Sequence, residues 1–230
     1  MSGMTGGSNP GAGRAAAGVA ATAIAALLAA GCAGVQRNPN VVGTYSDKLS
    51  PYNYREDGAL VRMIVGVDGA RYIRDEPYVP LFVQVANRSK STFTVTRESF
   101  MLEDPLGRQY GMAPAVDVAT RYGRLDVDRR LFRQNRSITA TYTNLLTPVG
   151  SDFFPSSSRP ALLIDQVSLP PRTYMEDVLY FPIPESGLNG VTLRLVFRDQ
   201  ALPDPAMVVF EVPKTLGILE KDDEEKGATP

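Results

Sequence analysis

The chain carries one thiol, Cys32, and no histidine. Histidine is the commonest general base and the commonest metal ligand, so its absence leaves carboxylates, guanidinium groups and hydroxyls to do any chemistry. A lone cysteine allows neither an internal disulfide nor a cysteine-only zinc site. Nucleophilic triads built on Ser–His or Cys–His pairs are unavailable. Glycoside hydrolysis needs only two carboxylates, and five acids qualify: Asp117, Asp126 and Asp128 in one segment, Glu176 and Asp177 at the start of an apolar run. Arg124, Arg129 and Arg130 flank Asp126 and Asp128, so all five read as solvated charges and no catalytic residue is assigned. A calcium loop at Asp126 and Asp128 lacks its third ligand and its glycine. No metal or other cofactor is expected, and the chain is read as a non-enzyme.

The same segment is rich in arginine. Residues 115–136 hold Arg121, Arg124, Arg129, Arg130, Arg133 and Arg136 against three aspartates. Guanidinium forks suit phosphate and carboxylate, which makes Arg121, Arg124, Arg129, Arg130 and Arg133 a candidate anion-binding set. The competing reading is a solvated helix face that pairs with its own aspartates. Formal net charge is −1, so no bulk electrostatic signal points to nucleic acid.

The elements that must position these residues are mostly strands. In "VRMIVGVD" the residues Val61, Met63, Val65 and Val67 share one face, the period-two pattern of a half-buried strand. "VPLFVQVANRS" sets Leu81, Val83 and Val85 together, and "TFTVT" sets Phe93 and Val95 against Thr92, Thr94 and Thr96. Residues 99–112 read as a hairpin around "DPLG", with Asp104, Pro105 and Gly107 suited to a type I turn. "SITATYT", "ALLIDQVSL", "DVLYFPI", "VTLRLVFR" and "AMVVFEV" read as further strands, the clearest placing Val191, Leu193, Leu195 and Phe197 on one side. Frequent turns and prolines at strand ends argue for an all-β antiparallel sandwich. Val118, Tyr122 and Leu125, then Leu131 and Phe132, recur at helical spacing. They predict one or two short helices, broken near Gly123, within an insertion over 113–136. "NLLTPVGSDFFPSSSRP" reads as irregular and exposes Phe153 and Phe154.

Both ends differ from this middle. After Arg14 comes the uncharged run "AAAGVAATAIAALLAAG", ending at Gly31. It is shorter than the about 20 apolar residues a membrane span needs, and a positive residue before a short apolar run marks a secretory signal. Residues 32–58, rich in Asn, Pro, Gly and Ser, read as a tether whose Tyr52 and Tyr54 dock at its end. The acidic residues 217–230 read as a disordered tail. The expected division is therefore 1–31 signal peptide, 32–58 tether, 59–216 β-sandwich and 217–230 tail.

The stretch Leu28–Cys32, "LAAGC", resembles the lipobox of bacterial lipoproteins, with the small residues Ala30 and Gly31 directly before the cysteine. The resemblance implies that Cys32 is acylated and becomes the first residue of the mature chain. The other readings of Cys32 are an inert buried thiol and a bystander beside a plain cleavage site. Ala33, where an Asp favours inner-membrane retention in enteric bacteria, points to the outer membrane. "FVQVANRSKSTFTVTRESFMLEDPLGRQY", "VSLPPRTYMEDVLYFPIP" and "VTLRLVF" resemble bacterial surface lipoproteins of unknown function. That likeness implies an immunoglobulin-like fold and brings no catalytic residue.

The expectation is thus a lipid-anchored, cell-envelope β-sandwich, non-catalytic, serving as a structural or protein-interaction subunit. Its expected partners are a membrane, through the anchor, and an envelope protein; nucleic acid is not among them. The alternative is a lipoprotein that grips an anionic envelope component through the arginine-rich insertion.

Overall fold

The computed structural model describes residues 46–155 and 163–214. The expected signal peptide, Cys32 and the acidic tail lie outside the described residues.

Strand formation follows the alternation. β1 (Asp47–Ser50), β2 (Asn53–Asp57), β3 (Val61–Gly66) and β4 (Tyr78–Asn87) make an antiparallel meander. β4 then pairs antiparallel with β10 (Thr173–Pro182), whose far side takes the two residues of β8 (Thr147–Pro148) in parallel. The second sheet runs β12 (Ala206–Glu211), β11 (Thr192–Phe197), β6 (Phe100–Glu103), β7 (Gln109–Gly111), all antiparallel. β5 (Phe93–Thr96) and β9 (Gln166–Leu169) form a separate pair. One apolar core joins all three sheets, including Met63, Val65, Leu81, Val83, Phe100, Leu102, Leu193, Leu195, Phe197 and Phe210. The alternating faces expected for β3, β4, β5 and β11 all turn inward as read. In the β6–β7 hairpin, the Gly107 amide donates to the Asp104 carbonyl at 3.0 Å, with Gly107 at φ 79°.

Three expectations need correction. First, strands appear inside the span read as tether: β1 and β2 occupy 47–57. Their sequence hides them because charge pairs rather than alternating apolar residues hold them, Arg55 to Asp57 at 3.1 Å and Arg62 to Asp57 at 2.6 Å. Tyr54 does dock, fully buried, with its hydroxyl donating to the Glu211 carbonyl at 3.2 Å. Second, "SITATYT" is no strand. The helix of the insertion continues through it to Thr139 and ends in a 3-10 turn, Ala140–Tyr142. Asn135 and Thr139 are buried on the helix's inner face. Third, Phe153 and Phe154 are buried, each 1 % exposed. Flanking Gly, Ser and Pro make the segment irregular, but irregular backbone still carries rings into a core.

The insertion forms α1 (Ala115–Arg121) and α2 (Leu125–Thr139), with the break at Tyr122–Arg124 as the periodicity predicts. α2 lies on the outer face of the six-stranded sheet, against β4 and β10. This cover explains why all ten residues of β4 are buried: Val79, Leu81, Val83 and Val85 face the core, and Phe82 and Gln84 face the helix.

Candidate functional site

The titratable groups of the insertion meet the sheet in a buried polar seam. α2 presents Asp128, Phe132, Asn135 and Thr139 inward at i, i+4, i+7 and i+11, one face of a helix. Asp128, in the first turn, is 2 % exposed. Its Oδ2 accepts from the Tyr122 hydroxyl at 2.6 Å and from the Tyr180 hydroxyl at 3.3 Å. Burial pushes this carboxyl up to about 6, against the opposing pull of the Tyr122 hydroxyl and the Arg124 charge. The same burial, with the carboxylate beside them, raises both tyrosines well above their ordinary range. Tyr180 stacks edge-on with Tyr122 at 5.0 Å and with Phe154 at 4.9 Å, so aromatic rings wall the carboxylate. Asp128 Oδ1 has no hydrogen-bond partner among the described residues. It borders a void of about 10 Å³ lined by Gly66, Gly69, Pro80, Phe82, Phe132 and Asn135, which is about the size of one water.

A second node sits on β10. Asp177 is completely buried. Register places it opposite Val83, in the core-facing series of its strand, where an unpaired charge would be very costly. It is therefore held: Arg129 Nη1 donates at 3.1 Å, the Phe153 amide at 3.0 Å and the Val178 amide at 2.8 Å. Burial still pushes its carboxyl up to about 6, with Arg129 the main opposing influence. Arg129 also donates to the Phe154 carbonyl at 3.2 Å, and Arg97 to the Phe153 carbonyl at 2.9 Å. This clamp is what holds the two phenylalanines in the core.

The third contact set closes the seam. Arg136 pairs with Glu176, Gln84 donates to Glu176 at 3.3 Å, and the Asn53 amide donates to Asn135 Oδ1 at 3.0 Å. Gly66 is required here on steric grounds, because a Cβ there would stand 2.7 Å from Asn53 Oδ1 and 3.1 Å from Phe82.

The candidate arginines do not converge. Arg129 is interior, bound to Asp177. Arg124 is half-buried, donating to the Tyr72 carbonyl and lying over the Tyr72 ring. Arg121 is exposed at the end of α1, and Arg130 and Arg133 are exposed on the outer face of α2. The acids divide likewise. Asp126 is exposed and Asp117 half-buried, but Asp128 and Asp177 are buried and Glu176 is nearly so, which corrects the reading of all five as solvated. The sequence carries one signal of this burial: Asp177 interrupts a strand otherwise apolar on that face. Among the described residues no group of three or more acids or cysteines is placed to hold a metal ion.

A second feature was not legible. An open groove beside β5 is lined by Thr92, Thr94, Thr96, Glu98, Arg198 and Asp199. Asp199 Oδ2 accepts the Thr94 amide at 2.8 Å and Ser99 Oγ the Thr96 amide at 3.1 Å. Side chains thus occupy the strand's outward donors, a common way of blunting a sheet edge.

No family model matches the chain. No curated protein matches it either. Among solved structures it is similar to the yjhA protein of Bacillus subtilis, with 11 % identity over 62 % of this chain and 76 % of that one, at a TM-score of 0.32. It is similar to ycdA of Bacillus subtilis subsp. subtilis str. 168, provisionally described as a lipoprotein, with 10 % identity over 68 % of this chain and 38 % of that one, TM-score 0.35. A functionally unknown protein of Listeria monocytogenes EGD-e shares 10 % identity over 73 % of this chain and 88 % of its own, TM-score 0.32. Likenesses this slight carry no argument about function.

Proposed function

We propose that this chain is a lipid-anchored cell-envelope protein whose immunoglobulin-like β-sandwich acts as a non-catalytic structural or protein-interaction subunit. The observation that carries the reading is "LAAGC" at Leu28–Cys32, closing an uncharged run that follows Arg14. Acyl chains on Cys32 would contribute about 0.8 kcal/mol per buried CH₂, and more than one chain makes an anchor durable. Ala33 after the cysteine favours the periplasmic face of the outer membrane over the inner membrane.

The seam supports a non-catalytic role. Both buried carboxylates are bound by the protein's own donors, and the space beside Asp128 has room for about one water. The anion-gripping alternative is weakened by the dispersal of its arginines, since Arg124 and Arg129 are engaged internally. The immunoglobulin-like assignment is supported by antiparallel sheets sharing one core.

The test is membrane fractionation of cells expressing the chain, with metabolic labelling by a palmitate analogue. Wild type is expected labelled and retained in the membrane fraction through a high-salt wash, and Cys32→Ser unlabelled and released by that wash. Equal partitioning of the two would refute the anchor. Crosslinking in cells then separates a protein partner from a glycan or lipopolysaccharide one.

A further inference from the structure

The solvent face of the insertion remains without a role. On α2, Arg130, Arg133 and Ser137 lie at i, i+3 and i+7, one stripe opposite the buried seam. Arg130 and Arg133 are exposed and make no ion pair among the described residues. From Arg129 to Ser151 the chain contains no acid. The stripe leads to Ile138, 41 % exposed, and then to a turn in which the Leu146 amide donates to the Thr143 carbonyl at 2.9 Å. Leu145, third in that turn, is 98 % exposed and has φ 72°. Turn positions with positive φ take glycine or asparagine, because a Cβ there is strained. A leucine at this place buries nothing in the fold and presents its whole side chain outward.

The chain's own tether ends beside this turn. Ser46 stands 14 residues after Cys32, a covalent reach of at most about 50 Å. A domain of this size has a radius of gyration of about 15 Å, so an anchor at Cys32 holds it close to the lipid surface. Asp47, the next residue, pairs with Arg55, and the Arg55 guanidinium lies over the Tyr142 ring at 5.1 Å. Arg62, on the neighbouring strand, donates to the Tyr142 carbonyl. The tether therefore enters the fold within two contacts of the turn that displays Leu145.

We propose that the outer stripe of α2 and the Thr143–Leu146 turn form a surface that lies on an anionic phospholipid bilayer, with Leu145 entering the headgroup–acyl boundary and Arg130 and Arg133 on the phosphates. The proposal rests on the lipid-anchor reading for its geometry. Charge complementarity and the tether's entry point select a bilayer over a protein partner. Basic residues near an anionic surface each contribute about fivefold in partitioning, and apolar side chains beside them set the depth.

The chain has no tryptophan, so Leu145→Trp introduces one local fluorophore at a site whose side chain packs against nothing. The full chain carrying Cys32→Ser and Leu145→Trp would be mixed with vesicles of phosphatidylcholine alone and of phosphatidylcholine with phosphatidylglycerol at about one part in three, an anionic surface of the kind that attracts basic side chains. The expected result is a blue shift of the indole emission only with the anionic vesicles, reversed by salt. Adding Arg130→Glu and Arg133→Glu should weaken the response at least tenfold, with an unchanged circular dichroism spectrum. No shift, an equal shift with neutral vesicles, or an equal shift after charge reversal would overturn the proposal. A shift produced by soluble envelope extract but not by vesicles would also overturn it, reassigning the surface to a protein. Because Cys32 is absent from this assay, its failure is separate from failure of the anchor, which the fractionation of wild type against Cys32→Ser reads.

Discussion

Asp128 illustrates how a single carboxylate can be structural and still titrate near neutrality. Two tyrosine hydroxyls satisfy one oxygen, the other borders a water-sized void, and no cation sits against it among the described residues except Arg124 at longer range. Folding raises its pKa to about 6, whereas the unfolded chain titrates near 3.9, about the ordinary aspartate value. Between those values the folded chain holds a proton the unfolded chain has released. Stability therefore falls as pH rises through that window, and the loss is complete above it. Every tenfold difference in proton affinity between the folded and unfolded chain corresponds to about 1.4 kcal/mol. Asp177, raised to about 6 by its own burial, adds a fall of the same sign. Urea midpoints for wild type and Asp128→Asn at pH 4, 5, 6 and 7 check this. The variant should keep the Asp177 share and lose the other, giving a shallower decline; an unchanged slope would mean Asp128 does not titrate there.

At the scale of elements, α2 is held to the sheet by polar groups as much as by apolar ones. Phe132 on Phe82, with ring centroids 5.4 Å apart, is the aromatic contact, and Arg129–Asp177, Arg136–Glu176 and Asn135–Asn53 are the rest. Arg129 and Arg130 are adjacent in sequence, yet Arg129 is turned inward onto Asp177 and Arg130 is exposed. Arg129→Ala leaves Asp177 buried and unpaired, and should cost about 3–5 kcal/mol. Arg130→Ala removes a solvated charge and should stay within about 0.5 kcal/mol. Chemical denaturation of the two variants checks the contrast, and equal effects would contradict the assigned facing. Helical spacing in the sequence located both helices and their break, because Val118, Tyr122, Leu125 and Phe132 mark the apolar stripe. It could not show that the stripe's other members are Asp128 and Asn135. A buried polar residue is identified by its partners, and although Tyr122 is only six residues from Asp128, Tyr180 lies 52 residues from it and Asn53 lies 82 from Asn135.

At the scale of the whole molecule, the six-stranded sheet begins before the alternating pattern does. β1 and β2 cover one flank of the core, where Tyr54 packs on Phe210 with centroids 6.2 Å apart, and Ser46 donates its amide to the Val209 carbonyl at 3.0 Å. A chain starting at Gly58 lacks these strands and exposes the edge of β3. It should melt at least about 10 °C below the chain that keeps residues 33–57, since losing the buried Tyr54 alone costs on the order of 3 kcal/mol. Equal melting by circular dichroism would return 47–57 to the status of a tether. What the residue order determined by itself is local: period-two faces of β3, β4, β5 and β11, the Asp-Pro-Leu-Gly turn, the helical insertion with its break, and the lipobox-like pentapeptide. Each depends on residues within a few positions of one another, and backbone geometry alone reads such spacing. Only the tertiary structure decided which charges are buried, that Phe153 and Phe154 face inward, that 137–143 is helix and turn rather than strand, and which arginines remain free. Those outcomes depend on contacts between segments far apart in the chain, where burial free energy overrides local preference.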